Sequence, residues 1–136
     1  MRWRPFGLLA AAGGVVMLGV ASSLLSAGAC ERSIAAPIVA RGREVYVVAD
    51  GRQSIEDTER ILHRAGARTR RCTDTGARFT CYPWAQISTA RVVFPFVARV
   101  DWGVMWAPLW GYGGTTWFVS ALGLVFELGT FPRWIS

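Results

Sequence analysis

The cysteines are the residues with the clearest chemical potential in this chain of 136 residues. Cys72 and Cys81 close the segment CTDTGARFTC. A type II′ turn at Gly76-Ala77 would make this segment a β-hairpin, because glycine tolerates the positive φ of the first turn position. In that register the two cysteines form a non-hydrogen-bonded pair with Cα atoms about 4.5 Å apart, near the lower limit for a disulfide. A register shifted by one residue would separate them, but the spacing predicts a structural disulfide that closes a hairpin.

A metal site and a reactive thiol are the weaker interpretations of the same two cysteines. Structural zinc sites use four ligands, whereas the chain offers this cysteine pair, a single histidine, His63, and no CxxC motif. An exported thiol with a partner in reach is usually oxidised, which argues against a nucleophilic cysteine. We expect neither a metal ion nor a cofactor.

Few other residues point to catalysis. The chain has no Gly-x-Ser-x-Gly motif, no paired metal-binding histidines and no phosphate-binding loop. His63 falls in the last turn of a predicted helix, where a surface or helix-capping role is common. Asp101 is a carboxylate set among apolar residues. We therefore expect no catalytic residues and a protein that is not an enzyme; a small hydrolase that uses His63 or Asp101 is the least favoured class.

Two groups of side chains are candidates for a binding surface. Every basic residue is an arginine, and six arginines cluster between residues 60 and 78, either as a solvated face or as a patch for anionic lipid headgroups or an acidic partner. Three tryptophans recur every fourth residue, a spacing that suits a core, a membrane interface, or a platform for sugar rings or an apolar partner. No nucleic-acid recognition motif accompanies the charge, so nucleic acid is not expected. The candidate binding surface comprises Arg60, Arg64, Arg68, Arg70, Arg71, Arg78, Trp102, Trp106 and Trp110.

Residues 1–29 have the pattern of a secretory signal peptide or a membrane anchor. Arg2 and Arg4 precede 24 residues without a charge, 6–29, which end in small residues and are followed by Cys30. The uncharged run is long enough to cross a bilayer. Three fates are open: cleavage after residue 29, retention as a single anchor, or lipidation of Cys30, although the branched aliphatic residue that a lipobox places three positions earlier is absent. In each case the remainder is exported across the bacterial inner membrane.

The rest of the chain alternates between predicted loops, strands and one helix. Residues 30–43 predict a linker and residues 44–50 a strand. Residues 54–66 predict an amphipathic helix that Ser54 caps, with acidic side chains in its first turns and basic side chains in its last. Its predicted buried stripe comprises Ile55, Ile61, Leu62 and Ala65. Residues 90–100 alternate as a strand does, with Pro95 marking an edge strand or a bulge.

Residues 102–126 carry no charge and are also long enough to cross a bilayer. Pro108 and several glycines interrupt this run. A second span would also leave most of the arginines in a short exported loop, against the positive-inside tendency. Buried strands are therefore favoured over a second span.

Together these features predict an α+β fold. Residues 44–136 would form a small exported domain with one main helix packed on a mostly antiparallel sheet that includes the disulfide-closed hairpin, preceded by the hydrophobic signal or anchor helix. The predicted function is non-enzymatic binding by a membrane-tethered or periplasmic envelope protein. The alternative is an accessory subunit of an integral membrane complex with residues 102–126 in the bilayer. The expected partners are the membrane, through residues 6–29, and anionic lipid headgroups or another envelope protein.

Overall fold

The chain begins with two consecutive helices and ends with three long strands. The structure is a computed structural model that describes residues 5–42, 44–48, 55–72, 81–121 and 124–135. The helices are α1 Pro5–Leu25, α2 Ala27–Arg41 and α3 Ile55–Arg64. The strands are β1 Glu44–Val47, β2 Arg68–Arg71, β3 Trp84–Ile87, β4 Arg91–Phe94, β5 Val97–Ala107, β6 Trp110–Ala121 and β7 Leu124–Ile135.

All these strands belong to one mixed, mostly antiparallel sheet. The order is β2-β1-β3-β5-β6-β7, and β4 pairs with β5 beside this path. Strand β1 runs parallel to both β2 and β3, and the other pairings are antiparallel. The predicted α+β class is confirmed.

Helices α2 and α3 cover the same face of the sheet. The alternate residues of β1, β3 and β5 that point to this face are buried or half-buried, as the period of two in a strand requires. Thr58 ties α3 to β3, because its hydroxyl donates to the carbonyl of Ile87 at 3.1 Å and accepts from the amide of the same residue at 3.2 Å. The opposite face carries no helix among the described residues. The core includes Ala35, Ile38, Val45, Val47, Ile61, Leu62, Ala85, Ile87, Val100, Val104 and Phe118.

Helix α2 lies where the sequence suggests a linker. The segment 30–43 contains Pro37 and Gly42, which favour a loop, yet the helix runs from Ala27 to Arg41. Proline at an interior position removes one backbone hydrogen bond. The burial of Cys30, Ala35 and Ile38 against the sheet offsets that loss, because small apolar side chains let the helix pack closely. Gly42 ends the helix by donating its N–H to the carbonyl of Ile38 at 3.3 Å.

Helices α1 and α2 are almost continuous. Ser26, between them, has helical dihedral angles, φ −91° and ψ −2°. Within the described residues, one helical stretch, Gly7–Arg41, is long and apolar enough to cross a membrane. Residues 7–18 are exposed along their whole length, and burial begins at Gly19.

Residues 90–100 form two strands rather than the predicted single one. Pro95 and Phe96 make a tight turn between β4 and β5, and Phe96 adopts a positive φ of 67°. Pro108 and Leu109 repeat the arrangement between β5 and β6, with φ 63° at Leu109. Proline suits the second position of such a turn, whereas the third usually requires glycine. The described part of residues 102–126 is formed by strands β5 to β7 and not by a helix.

The Cys72–Cys81 disulfide is confirmed, with a Cα–Cα distance of 6.1 Å. The sheet does not continue the predicted hairpin beyond the two cysteines. The strands on either side, β2 and β3, do not pair with each other, because β1 lies between them. Cys72 instead donates its N–H to the carbonyl of Val47 in β1 at 3.0 Å. Residues 73–80, including the predicted turn, lie outside the described residues.

The predicted amphipathic helix is confirmed as α3. Its acidic first turn and basic last turn are present, and Ile61 and Leu62 are buried as expected. Ile55 and Ala65 are half-buried at the edge of the core. The predicted capping residue, Ser54, lies outside the described residues.

Candidate functional site

The arginines of β2 are divided between the two faces of the sheet. Arg71 donates from Nε to Oε1 of Glu59 in α3 at 2.6 Å, so its side chain lies on the face that the helices cover. This hydrogen bond raises the pKa of the Arg71 guanidinium further above its ordinary value. Arg68 and Arg70 are exposed and point to the opposite face, because side chains alternate along a strand. The sheet therefore separates part of the predicted arginine group.

The arginines of α3 are solvated. Arg60 forms an ion pair with Asp57 at 3.4 Å, in which both side chains are more than a third exposed. Such an exposed pair contributes less than about 1 kcal/mol to stability. Arg64 is exposed in the last turn, and Arg78 lies outside the described residues. The described arginines thus present solvated charges on different surfaces rather than one anion-binding pocket.

The three tryptophans lie along α2, and two of them belong mainly to the packing. Trp102 and Trp106 are half-buried against the core on the face that the helices cover. Trp102 donates from Nε1 to Oγ1 of Thr116 at 2.9 Å, and its ring meets Tyr112 edge-on at 5.3 Å. Trp110 is 52 % exposed and is the member most available to a partner.

The last turn of α2 is joined to the β5–β6 turn through Arg41. Its guanidinium lies 5.1 Å from the ring centroid of Trp106 and 5.0 Å from that of Trp110. The two rings are 6.5 Å apart and tilted by 44°. A cation–π contact at an exposed site is worth about 0.5–1 kcal/mol. Arg41, Trp106 and Trp110 form a partly exposed stack of flat groups, which we call the aromatic shelf.

A cleft of about 170 Å³ lies between α2 and the outer strands of the sheet. A chain of hydrogen bonds crosses it: Trp102 Nε1 donates to Thr116, whose hydroxyl lies 2.8 Å from that of Thr130. Thr130 then donates to Oε1 of Glu127 at 3.3 Å. Helix α2 forms the side of the cleft that faces these hydrogen-bonded side chains. The lining comprises Ser33, Ile34, Pro37, Ile38, Trp102, Tyr112, Thr116, Glu127 and Thr130.

The chain of hydrogen bonds determines what the cleft offers a ligand. Because Thr130 donates to Glu127, the hydroxyl of Thr116 must donate to Thr130, and both hydroxyl protons are committed. Within this chain of hydrogen bonds, the atoms left for a ligand are therefore the remaining lone pair of Thr130 and the exposed carboxylate of Glu127. Such a site suits the hydroxyl or ammonium groups of a ligand, with aromatic edges beside them.

The two residues that a hydrolase would use do not converge. His63 lies on α3, where its Nε2 is 2.7 Å from Oγ1 of Thr69. Asp101 accepts a 2.5 Å hydrogen bond from Thr115 on the face of the sheet opposite the helices. The sheet stands between these side chains, so they do not form an acid–base pair. In the part of the chain that the structure describes, no group of three or more histidine, cysteine, aspartate or glutamate residues is placed to hold a metal ion.

Cys30 is part of the core. Its side chain is 1 % exposed and packs with the buried residues of the sheet. Burial, together with the negative charge of Glu31, raises the pKa of the thiol from 9.0 to about 11. A thiol in this position is shielded from reagents and is poorly ionised at neutral pH.

Comparison with known proteins assigns no family. No family model matches the chain, and neither a curated protein nor a solved structure matches it. The function must therefore be inferred from the apolar helix α1, the disulfide and the cleft.

Sequence reasoning missed the cleft because its polar residues are not a sequence motif. Thr116 and Thr130 meet only through the register of β6 against β7. The irregularity in that pairing between Trp117 and Phe118 also places Glu127 on the same face as the threonines. The one available signal is that these residues are polar positions within or beside a run of apolar residues.

Proposed function

We propose that the protein is a small envelope protein that α1 anchors in the membrane and that binds another envelope component without catalysing a reaction. The observation that carries this proposal is the division of α1. Residues 7–18 form an apolar helical surface with every side chain exposed, whereas the helix is packed on the sheet from Gly19 onward. A fully exposed apolar helix of this kind is stable in lipid and costly in water.

The contacts after Gly19 favour retention of α1 over cleavage. Ser23 and Ser26 are buried against the body of the protein. The N–H of Phe96 donates to the carbonyl of Gly19 at 3.2 Å. Removal of residues 1–29 would delete these contacts, leave the Phe96 amide without its acceptor and expose Cys30. The burial of Cys30 also favours a retained anchor over a lipidated N-terminus.

The orientation follows from the charges and the disulfide. Arg2 and Arg4 precede the apolar run, and basic residues beside a span stay in the cytoplasm. The Cys72–Cys81 disulfide is typical of an oxidising compartment. Both features support a sheet on the extracytoplasmic side of the membrane.

The cleft and the aromatic shelf are the best candidate binding surface. They share one side of the molecule, where α2 meets β5 to β7. Acceptor oxygens, the carboxylate of Glu127 and flat aromatic groups together suit a polymer that carries hydroxyl and amino groups, such as peptidoglycan. The arginine group is the weaker candidate because its described members are dispersed.

Fractionation and thiol labelling of the full-length protein test the anchoring. Membranes are extracted with carbonate, and intact cells are treated with a membrane-impermeant maleimide before and after reduction. We expect the protein to stay in the membrane pellet, and Cys72 and Cys81 to react only after reduction. Release into the soluble fraction, or labelling without reduction, would contradict the proposal.

A titration tests the binding surface. Full-length protein in nanodiscs is mixed with soluble muropeptides, and tryptophan fluorescence is recorded. We expect Glu127→Gln to weaken binding about tenfold, since a charge-assisted hydrogen bond is worth about 1.5–3 kcal/mol. Glu44→Gln removes an exposed carboxylate elsewhere on the sheet and serves as the matched control. No binding, or equal effects of the two substitutions, would exclude the cleft as the site.

The accessory-subunit alternative stays a prediction with its own test. It requires membrane attachment through residues 102–126. A chain that starts at Gly19 keeps the packed half of α1 and lacks the exposed half. Its release by carbonate would rule out the alternative, and its retention in the membrane would favour it.

A further inference from the structure

We propose that the tips of the β4–β5 and β6–β7 hairpins are immersed in the outer leaflet of the membrane, so that the lipid bilayer is a direct binding partner of the sheet. The two tips carry four exposed apolar side chains, which we call the tip surface: Val93, Phe94, Leu124 and Phe126. This inference depends on the proposed function in one respect, since α1 must remain in the membrane.

The tips hold α1 halfway along its apolar run. A Cβ atom on Gly19 would lie only 2.7 Å from Cβ of Pro95 and 2.8 Å from the ring of Phe96, so the helix touches the β4–β5 turn there. The hydroxyl of Ser23 lies 3.3 Å from that of Ser120, near the end of β6. The N–H of Ser120 in turn donates to the carbonyl of Phe96 at 2.8 Å. Both hairpin tips are thereby fixed at the level of Gly19 to Ser23.

The length of α1 then places the tips below the membrane surface. A hydrocarbon core of about 30 Å needs about 20 helical residues, at about 1.5 Å each. The described helix before Gly19, residues 5–18, supplies only about 21 Å at that rise. A span that starts at residue 6 ends near Leu25, roughly 10 Å beyond the point where the turn first touches the helix. The tips must therefore enter the leaflet by about this depth, or the bilayer must thin at a cost.

The surfaces at that level are apolar on both the helix and the hairpins. Leu24 and Leu25, in the last turn of α1, are 63 % and 88 % exposed. Phe94 and Leu124, on the two tips, are 68 % and 61 % exposed. Apolar groups that surround an anchor at one height are unfavourable in water and suit the acyl region of a bilayer.

The positions of the first charged residues along the two hairpins are consistent with the same depth of immersion. Arg91 lies three residues before Phe94, Arg99 lies opposite Arg91 in β5, and Glu127 lies three residues after Leu124. At about 3.3 Å per strand residue, each charge is about 10 Å from its tip. This distance matches the depth obtained from the helix length. Immersion therefore needs no buried charge, and Arg91 reaches the height of the phosphate groups, where arginine is favourable.

Spin-label depth measurements on the full chain test the proposal. Phe94→Cys and Phe126→Cys place labels on the tips, and Leu109→Cys places one on the β5–β6 turn at the opposite end of the strands. Met17→Cys reports on the anchor. The disulfide and the buried Cys30 leave the introduced cysteine as the reactive thiol of each variant. The labelled proteins are placed in nanodiscs of phosphatidylcholine and phosphatidylglycerol, and collisions with oxygen and with a water-soluble nickel complex are compared.

We expect the tip labels to collide several-fold more with oxygen than with nickel, as the Met17 label does, and the Leu109 label to show the reverse. Tip labels as accessible to nickel as the Leu109 label, with the Met17 label still in lipid, would overturn the inference and leave the anchor intact. A nickel-accessible Met17 label would instead overturn the proposed function. Tip labels shielded from both reagents would mean that protein, such as a second copy, covers the tips, and would also overturn the inference.

A second measurement needs no substitution. Methyl signals of Val93 and Leu124 in the unmodified protein are recorded in nanodiscs with and without lipids that carry a nitroxide near the headgroup. We expect these signals to broaden strongly while the methyl signals of Leu109 stay sharp. Equal broadening at the three residues would contradict immersion of the tips.

Discussion

The two halves of α1, residues 5–18 and 19–25, belong to one uncharged run and have opposite environments. Around Gly7, Gly13 and Gly14 there is open space, since a Cβ atom added to any of them would have no described atom within 4 Å outside its own helix. At Gly19 the same added atom would strike Pro95 and Phe96. The difference arises from a turn more than seventy residues later in the chain, so one apolar run has an exposed part and a part packed on the sheet.

The comparison shows what small residues do in the second half. The small side chains of Ser22 and Ser23 allow strand β6 to approach the helix closely. Bulky residues such as Leu24 and Leu25 point away from the sheet and stay exposed. Close packing on one side and an apolar outer side allow the same turns of helix to contact both the sheet and the bilayer.

The largest effect is expected from a bulky side chain at the packed glycine. Gly19→Leu would force apart α1 and the β4–β5 turn, and we expect the free energy of unfolding to fall by about 3 kcal/mol. Gly14→Leu, in the open half, is the matched control and should change stability by less than about 0.5 kcal/mol. Urea unfolding of both variants in the same micelles, followed by tryptophan fluorescence, measures the difference. Equal free energies of unfolding for the two variants would contradict the difference in environment between the two halves.

The second prediction uses Cys30 as a reporter of the packed region. With a pKa raised from 9.0 to about 11, the native thiol at pH 8 holds about a hundredfold less thiolate than an ordinary cysteine. Alkylation of the native protein should therefore be at least about a hundredfold slower than in denaturant. The neutral thiol contributes fully to the free energy of unfolding below about pH 9. This contribution is lost as the pH rises toward 11, because unfolding then releases a proton.

Thiol alkylation followed by mass spectrometry from pH 7 to 11 checks this expectation. The Gly19→Leu variant should label faster than the parent, and Gly14→Leu should not. Equal rates in the native and denatured parent would show that Cys30 is accessible and that the start of α2 is not in the core.

A smaller effect is expected at the serine contact. Ser120→Ala removes the partner of the Ser23 hydroxyl, which is 1 % exposed, and should cost about 1–2 kcal/mol. The double variant Ser23→Ala with Ser120→Ala should recover part of this loss, because the buried Ser23 hydroxyl is then no longer left unpaired. Ser33→Ala, on the exposed side of α2, is the control. A double-mutant cycle by urea unfolding would contradict the contact if the two changes were simply additive.

The smallest effect concerns the two proline turns. Leu109 is 86 % exposed and has φ 63°, a conformation that asparagine adopts more readily than leucine. Leu109→Asn should raise the free energy of unfolding by about 0.5 kcal/mol. Phe96→Asn at the other turn should lower it, because Phe96 also contacts α1. Thermal unfolding of both variants shows whether each substitution raises or lowers stability. A higher stability of both variants would mean that the contact of Phe96 with α1 contributes little.

Several features were predictable because their signals are local. The charges at the ends of α3 and its apolar stripe indicate the helix directly, and the spacing of Cys72 and Cys81 indicates their bond. The sheet around that bond was not predictable, because β1 comes earlier in the chain and inserts between β2 and β3. Such an order depends on tertiary packing rather than on neighbouring residues.

Other features were missed because the local signals pointed elsewhere. Pro37 suggested a linker where burial sustains α2. Phe96 carries no local sign of a positive φ, so the pattern of residues 90–100 indicated one strand. The cleft depends on the β6–β7 register and has no motif of its own. Hydropathy alone also gives no reason to divide α1 at Gly19.

The intact mass of the full-length protein purified from membranes tests the central claim most directly, which is that α1 is retained and shared between the bilayer and the sheet. We predict the mass of all 136 residues with one disulfide, and no added mass on Cys30. A chain that has lost residues 1–29, with or without a lipid on Cys30, would contradict the account, because the contacts of Gly19, Ser23 and Ser26 would then be absent from the mature protein.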